Sequence, residues 1–159
     1  MTKESGLRLA GDLARLHPAV AQALRDNTYD DGFLLHLFMG QLAFWLVDSV
    51  RDGEASAEPG RLVHKVVHRL DTAYATGDED VCNAIMVSFL ENIMDDDPAE
   101  AVVRSALTPR LAEAFAELER WFETASAWVP PPPEPTGPLD ISTFKPYDAP
   151  TRSPDGSAS

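Results

Sequence analysis

Basic residues are scarce in this chain: 13 Lys and Arg stand against 26 Asp and Glu in 159 residues, for a formal net charge of −13. That balance argues against nucleic acid or anionic lipid as the main partner, since both are polyanions. A single cysteine, Cys82, excludes an intramolecular disulfide and any multi-cysteine zinc or iron–sulfur site. Long apolar runs are also missing. The most apolar stretch, Phe33 to Val47, is interrupted by His36, Gly40 and Gln41 and is bounded by Asp31 and Asp48. It falls short of the roughly 20 residues a bilayer span requires, and reads instead as a buried helix. Met1 to Ala10 carries Lys3, Glu4 and Arg8 without an apolar centre, so no export signal is expected. No GxSxG elbow, P-loop or GxGxxG occurs. Arg outnumbers Lys, and Ala and Asp are abundant, a usage that fits a GC-rich bacterial genome and a cytoplasmic address.

The hydrophobic content of 44% is ample for one folded domain, and its spacing is helical. Leu9, Leu13, Leu16, Val20 and Leu24 keep helical spacing through Pro18. A proline there removes a donor and restrains His17, so two short helices are expected, with Pro18 opening the second. Asn27 to Gly32 is a turn cluster, and Phe33 to about Val50, apolar nearly all round, is expected to be the central helix of the core. After a loop at Arg51–Gly60, Leu62, Val63, Val66, Val67, Leu70 and Tyr74 form an amphipathic stripe. Gly77 suits a left-handed stop, and Asp78 an N-cap for a helix carrying Val81, Cys82, Ile85, Phe89 and Ile93. Asp97-Pro98 and Thr108-Pro109 are cap-then-proline starts, the second launching Leu111, Phe115, Leu118 and Phe122. The expectation is an all-α domain over residues 1–129, a compact bundle or stack of six to seven helices.

From Pro130 to Ser159 nine residues are proline, beginning with four in succession, which predicts an extended or disordered Pro-rich tail. Within it LDISTFKPYD (139–148) is apolar enough to dock, so a passive linker, an arm on its own domain and a partner motif all stay open.

Charge placement carries the functional reading. Between Arg69 and Arg104 there is no Lys or Arg, while Asp71, Asp78, Glu79, Asp80, Glu91, Asp95, Asp96, Asp97 and Glu100 all fall inside that window. Asp78, Glu79 and Asp80 suit the positive end of a helix dipole, whereas Asp95 and Asp96 follow a helix's negative end, where they are unfavourable. A solvated acidic face that keeps the protein soluble accounts for this. So does a surface that meets a basic partner through Asp78, Glu79, Asp80, Glu91, Asp95, Asp96 and Asp97. The DDD run lacks the alternating ligands, glycine and terminal glutamate of a calcium loop.

The remaining polar residues fit structural roles better than chemistry. His64 and His68, one turn apart with Asp71 beyond, have metal-ligand spacing, but Lys65 and Arg69 share their face and repel a dication. His36 reads as a satisfied core histidine, His17 as loop chemistry, and Cys82 as a buried, inert thiol. Asn83 and Glu91 belong to neighbouring parts of one helix face. No catalytic residue, metal or cofactor is assigned.

Two stretches, HPAVAQAL…DDGFLLHLFMGQLAFWLVD and GDEDVCNAIMVSFLENI, resemble a family of small acidic bacterial proteins of unknown function. The resemblance rests on Asp31, His36 and Trp45 in the first and on Gly77, Asp78, Asn83, Phe89 and Glu91 in the second, and it covers roughly residues 12–125. Such proteins are similar to immunity proteins encoded beside bacterial toxins. The resemblance therefore implies a non-catalytic protein that neutralises a basic toxin domain. A helical enzyme or metal-binding protein near His36 or His64/His68, and a scaffold using the Pro-rich tail, are the alternatives.

Overall fold

The computed structural model describes residues 2–53 and 59–131. Contacts divide the chain into Met1–Ala127 and Trp128–Ser159. The first unit runs α1 (Thr2–Ala14), α2 (Pro18–Asp26), β1 (Thr28–Tyr29), β2 (Gly32–Phe33), α3 (Leu35–Arg51), α4 (Pro59–Thr76), α5 (Glu79–Ala84), α6 (Pro98–Ser105) and α7 (Pro109–Ala127). It is all-α apart from one small hairpin, as the apolar spacing predicts. Of the Pro-rich segment, Pro130 and Pro131 lie outside any helix, and the expectation for residues 132–159 falls outside the described residues.

Local sequence sets the helix boundaries. Pro18 opens α2 at its first turn, and His17 is its N-cap: Nδ1 accepts the Ala19 N–H at 3.1 Å. The imidazole also packs against Trp45 in a tilted arrangement, with ring centroids 4.9 Å apart. His17 is therefore a cap and a packing surface, more than a loop residue. The turn cluster after α2 closes into an antiparallel hairpin with Thr28 opposite Phe33 and Tyr29 opposite Gly32, which takes φ 143°. Asn27, almost fully buried, secures this turn by donating to the Ala23 carbonyl at 2.8 Å and to Gln41 Oε1 at 2.9 Å.

Asp78 and Asp97 are the N-caps of α5 and α6, accepting the N–H groups of Val81 and Ala99 at 3.0 and 2.8 Å. Gly77 departs from expectation, because its backbone is not left-handed. It is required for space: a Cβ would overlap the Ala73 carbonyl oxygen and stand 3.1 Å from Val81 Cγ1. The helix after Gly77 is also not uniform. α5 passes without a break into a π-helical turn, Ile85–Leu90, and then a 3₁₀ turn, Glu91–Ile93.

α3 is the centre of the core. Phe38, Met39, Leu42, Ala43, Leu46 and Val47 are buried, and the helix packs against the π-helical turn, α6, α2 and α1. The stripes of α4 (Val63, Val66, Val67, Leu70) and α7 (Leu111, Phe115, Leu118) close over it with Val81, Ile85, Phe89 and Ile93. Yet α3 is not buried all round. Leu34 at its N-cap, together with Leu37 and Phe44, points outward, and Leu37 and Phe44 are 57% and 58% exposed. The helix carries more apolar residues than the core can take up.

Candidate protein-binding surface

The structure divides the seven acids of the base-free window into two groups. Asp78 and Asp97 are capping residues. Asp78 accepts from the Ser5 hydroxyl and from the Val81 N–H; the Ser5 contact, then the Val81 bond, holds its carboxyl below the ordinary range. Asp97 is likewise held low, first by the Ala99 N–H and then by Arg51, whose Nη2 lies 3.0 Å from Oδ2. Glu79, Asp80, Glu91, Asp95 and Asp96 are exposed and have no ion-pair partner among the described residues.

The window is less bare in space than in sequence. Arg51 reaches Asp97, Arg104 lies 3.7 Å from Glu100, and Arg110 lies 3.5 Å from Asp71. Arg104 Nη1 also donates to the carbonyls of Ile93 and Asp95 at 2.5 and 2.8 Å. That cation offsets the negative helix end beside Asp95 and Asp96. Glu100 is buried and its Oε2 accepts no hydrogen bond among the described residues, so burial pushes its pKa up.

Three open clefts adjoin one another, two along the outer side of α3 and one between the π-helical turn and α7. The first, about 390 Å³, lies between Leu34, His36, Leu37 and Asp80. The second, about 360 Å³, has Gly40 on its floor and Leu37, Phe44 and Val87 on its walls. The third, about 530 Å³, is formed by Val87, Met86 and Trp121, with Asn83, Glu91 and Glu117. His36 and Leu37 are shared by the first two, and Val87 by the last two, so the clefts form one strip. Its exposed apolar residues are Leu34, Leu37, Phe44, Val87 and Trp121, the last 62% exposed. Asp80 lies at one end and Glu91 and Glu117 at the other, and among the described residues no Lys or Arg lines any of the three clefts.

The π-helical turn shapes the middle of this strip. A π turn widens the helix and re-aims neighbouring side chains. Here Val87 faces outward while Ser88 beside it is buried. His36, expected in the core, is instead exposed at the cleft edge, with Nδ1 2.7 Å from Ser88 Oγ. Asn92 Nδ2 donates to the Ser88 carbonyl at 2.7 Å. These bonds fix the groove wall. Asn83 and Glu91, expected on neighbouring parts of one helix face, both line the third cleft.

The other candidates stay apart from the strip. His64 and His68 are exposed on α4, while Asp71 is drawn toward α7, accepting from Thr108 Oγ1 at 2.7 Å. No group of three His, Cys, Asp or Glu is placed to hold a metal among the described residues. Cys82 is half-buried with Sγ 3.4 Å from the Tyr74 carbonyl oxygen, and burial pushes the thiol pKa up. Sequence reasoning located acids and missed the exposed apolar side of α3. The available signal was a helix with hydrophobic residues on every side and a glycine in its second turn.

Residues 11–123 match a family model described as Domain of unknown function (DUF7674). The chain belongs to this family. The matched span contains every residue of the strip named above from Leu34 to Trp121, together with all seven acids. No curated protein and no solved structure matches the chain. No described helix is long and apolar enough to cross a membrane.

Proposed function

We propose that the chain is a non-catalytic binding protein of the immunity or antitoxin type, which neutralises a basic protein partner by covering it. The observation that carries this reading is the conjunction of exposed acids lacking a cation partner among the described residues with a strip of exposed apolar side chains. Asp80 and Glu91 belong to both. Apolar side chains at the centre of an interface supply affinity when they are desolvated. Acids at the rim speed encounter with a basic surface and reject acidic ones. The resemblance of the two helical stretches to immunity proteins supports the same reading, as does a net charge of −13.

The test is co-purification of the full chain with its natural partner, followed by association kinetics. The expected partner carries a basic surface, is harmful to cells when expressed alone, and is silenced in stoichiometric complex with this chain. Its association rate falls steeply from low to high salt. A partner with an acidic contact face, or a rate indifferent to salt, overturns the proposal.

A further inference from the structure

Resting on that reading, we infer that the strip along α3 is a docking groove for an amphipathic helix of the partner, seated over Gly40 and carrying Lys or Arg on its flanks. Gly40 is the observation that points there. A glycine inside a helix is disfavoured against alanine unless the backbone or the packing needs it. Neither need exists at this position. Its φ is not positive, and an added Cβ would meet only Asn92 Nδ2 at 3.7 Å and the Ser88 carbonyl oxygen at 3.9 Å, both ordinary contacts. The fold accepts a side chain there, and its absence leaves a notch between Leu37 and Phe44. Those two residues are seven apart, the spacing of a helix seam, and Val87 lines the same cleft from the π-helical turn.

The chemistry of the walls selects the occupant. Around Gly40, α3 and the π-helical turn keep their backbone groups in their own helical ladders, and the strand that borders the first cleft, Gly32–Phe33, is only two residues long, so an extended segment finds little edge to add to. A partner must bind through side chains, and an amphipathic helix in a groove does so. From Leu34 to Phe44 the helix axis advances about 15 Å, roughly three turns. Carboxylates stand at both ends of the strip and no cation lines it among the described residues, so the flanks of the docked helix meet Asp80, Glu91 and Glu117. A second copy of this chain brings another −13 charges to the same acids, and charge complementarity disfavours it.

The test uses the full chain, isotopically labelled, titrated with two designed peptides of about 18 residues, long enough for partial helicity. One carries leucines at helical spacing flanked by lysines; the other has glutamate at every lysine position. The lysine peptide is expected to bind at least about tenfold more tightly, with shifts centred on Gly40, Phe44, Val87 and the Trp121 indole. Gly40→Leu and Phe44→Ser should each weaken it about tenfold or more, the first by filling the notch and the second by removing a wall. Glu91→Lys with Glu117→Lys should narrow the gap between the peptides. Equal binding of both peptides, shifts elsewhere, or indifference to Gly40→Leu and Phe44→Ser overturns the inference. So does a free chain in which a second copy, or residues 139–148, covers Phe44 and Trp121. If the natural basic partner responds to acid reversal but not to the two groove variants, the groove is wrong while the basic-partner reading stands. If no basic partner exists, that reading itself fails.

Discussion

Two glycines in this chain have opposite reasons for being glycine, and each gives a prediction. At Gly77 the position of a Cβ is occupied by the backbone of the preceding helix, and backbone cannot rotate away. Gly77→Ala should destabilise the fold by about 1–3 kcal/mol, the usual cost of overpacking, measured by urea unfolding. At Gly40 a Cβ would make only ordinary contacts, so Gly40→Ala should stabilise by about 0.5–1 kcal/mol through helix propensity. If both substitutions destabilise equally, the notch is structural. The capping acids give a pH dependence. Asp78 and Asp97 are held below the ordinary carboxylate range, so the unfolded chain takes up protons before the native state does. Their contribution is complete above the unfolded value of about 4 and is lost as pH falls through the native values. Glu100 has the opposite sign: raised by burial, it costs stability when ionised and is relieved on protonation. Asp97→Asn should therefore lower Tm at neutral pH and flatten the loss of stability between about pH 5 and about pH 3, followed by thermal melts. The caps were legible because Asp followed by a helix start is a local pattern. Gly77 was legible as a helix end, but its reason was not, because overlap with Ala73 depends on how the chain turns.

At the scale of the element, α3 shows how far hydrophobic pattern goes. Its central place in the core was readable from apolar density, since no other segment is so rich. Its exposed side was not, because a helix apolar on every side reads the same whether it is enclosed or partly open. The decision lies with the neighbours, and α2, α6 and the π-helical turn leave Leu37 and Phe44 uncovered. Substitution should separate the two faces. Phe38→Ala removes a fully buried ring and should cost about 3–5 kcal/mol, whereas Phe44→Ser should change stability by under about 0.5 kcal/mol in the same urea titration. A large loss at Phe44 would mean that its side chain supports the fold and is not free for a partner. The π turn was illegible for a related reason. Its sequence, Ile85 to Leu90, keeps helical apolar spacing, and the change from α to π hydrogen bonding appears only in the backbone. His36, expected in the core, lies on the uncovered side of α3 beside Leu37, where its ring meets Ser88 of that turn.

At the scale of the whole molecule, a base-free stretch of sequence is not a base-free surface. Arg51, Arg104 and Arg110 fold back onto Asp97, Glu100 and Asp71, leaving Glu79, Asp80, Glu91, Asp95 and Asp96 to set the local field. Those five do not stand equally close to the apolar strip. Asp80 and Glu91 line it, whereas Asp95 and Asp96 line none of its three clefts. Glu119 and Glu123 on α7 are exposed and likewise line none of the clefts. Reversing any pair of these acids to Lys changes net charge by the same amount, so a field set only by total charge predicts equal slowing of association. A field focused at the strip predicts an order: Asp80→Lys with Glu91→Lys slows association with the basic partner most, by about tenfold at low salt, and Glu119→Lys with Glu123→Lys least. Asp95→Lys with Asp96→Lys should fall between them, because these residues follow Glu91 closely in the chain without lining the groove. Dissociation should change less than association for the rim pairs, and the differences among the three should shrink as salt shortens the Debye length. Stopped-flow association at two salt concentrations decides the matter: equal slowing by all three pairs leaves total charge as the only cause, and removes the strip from any role in steering.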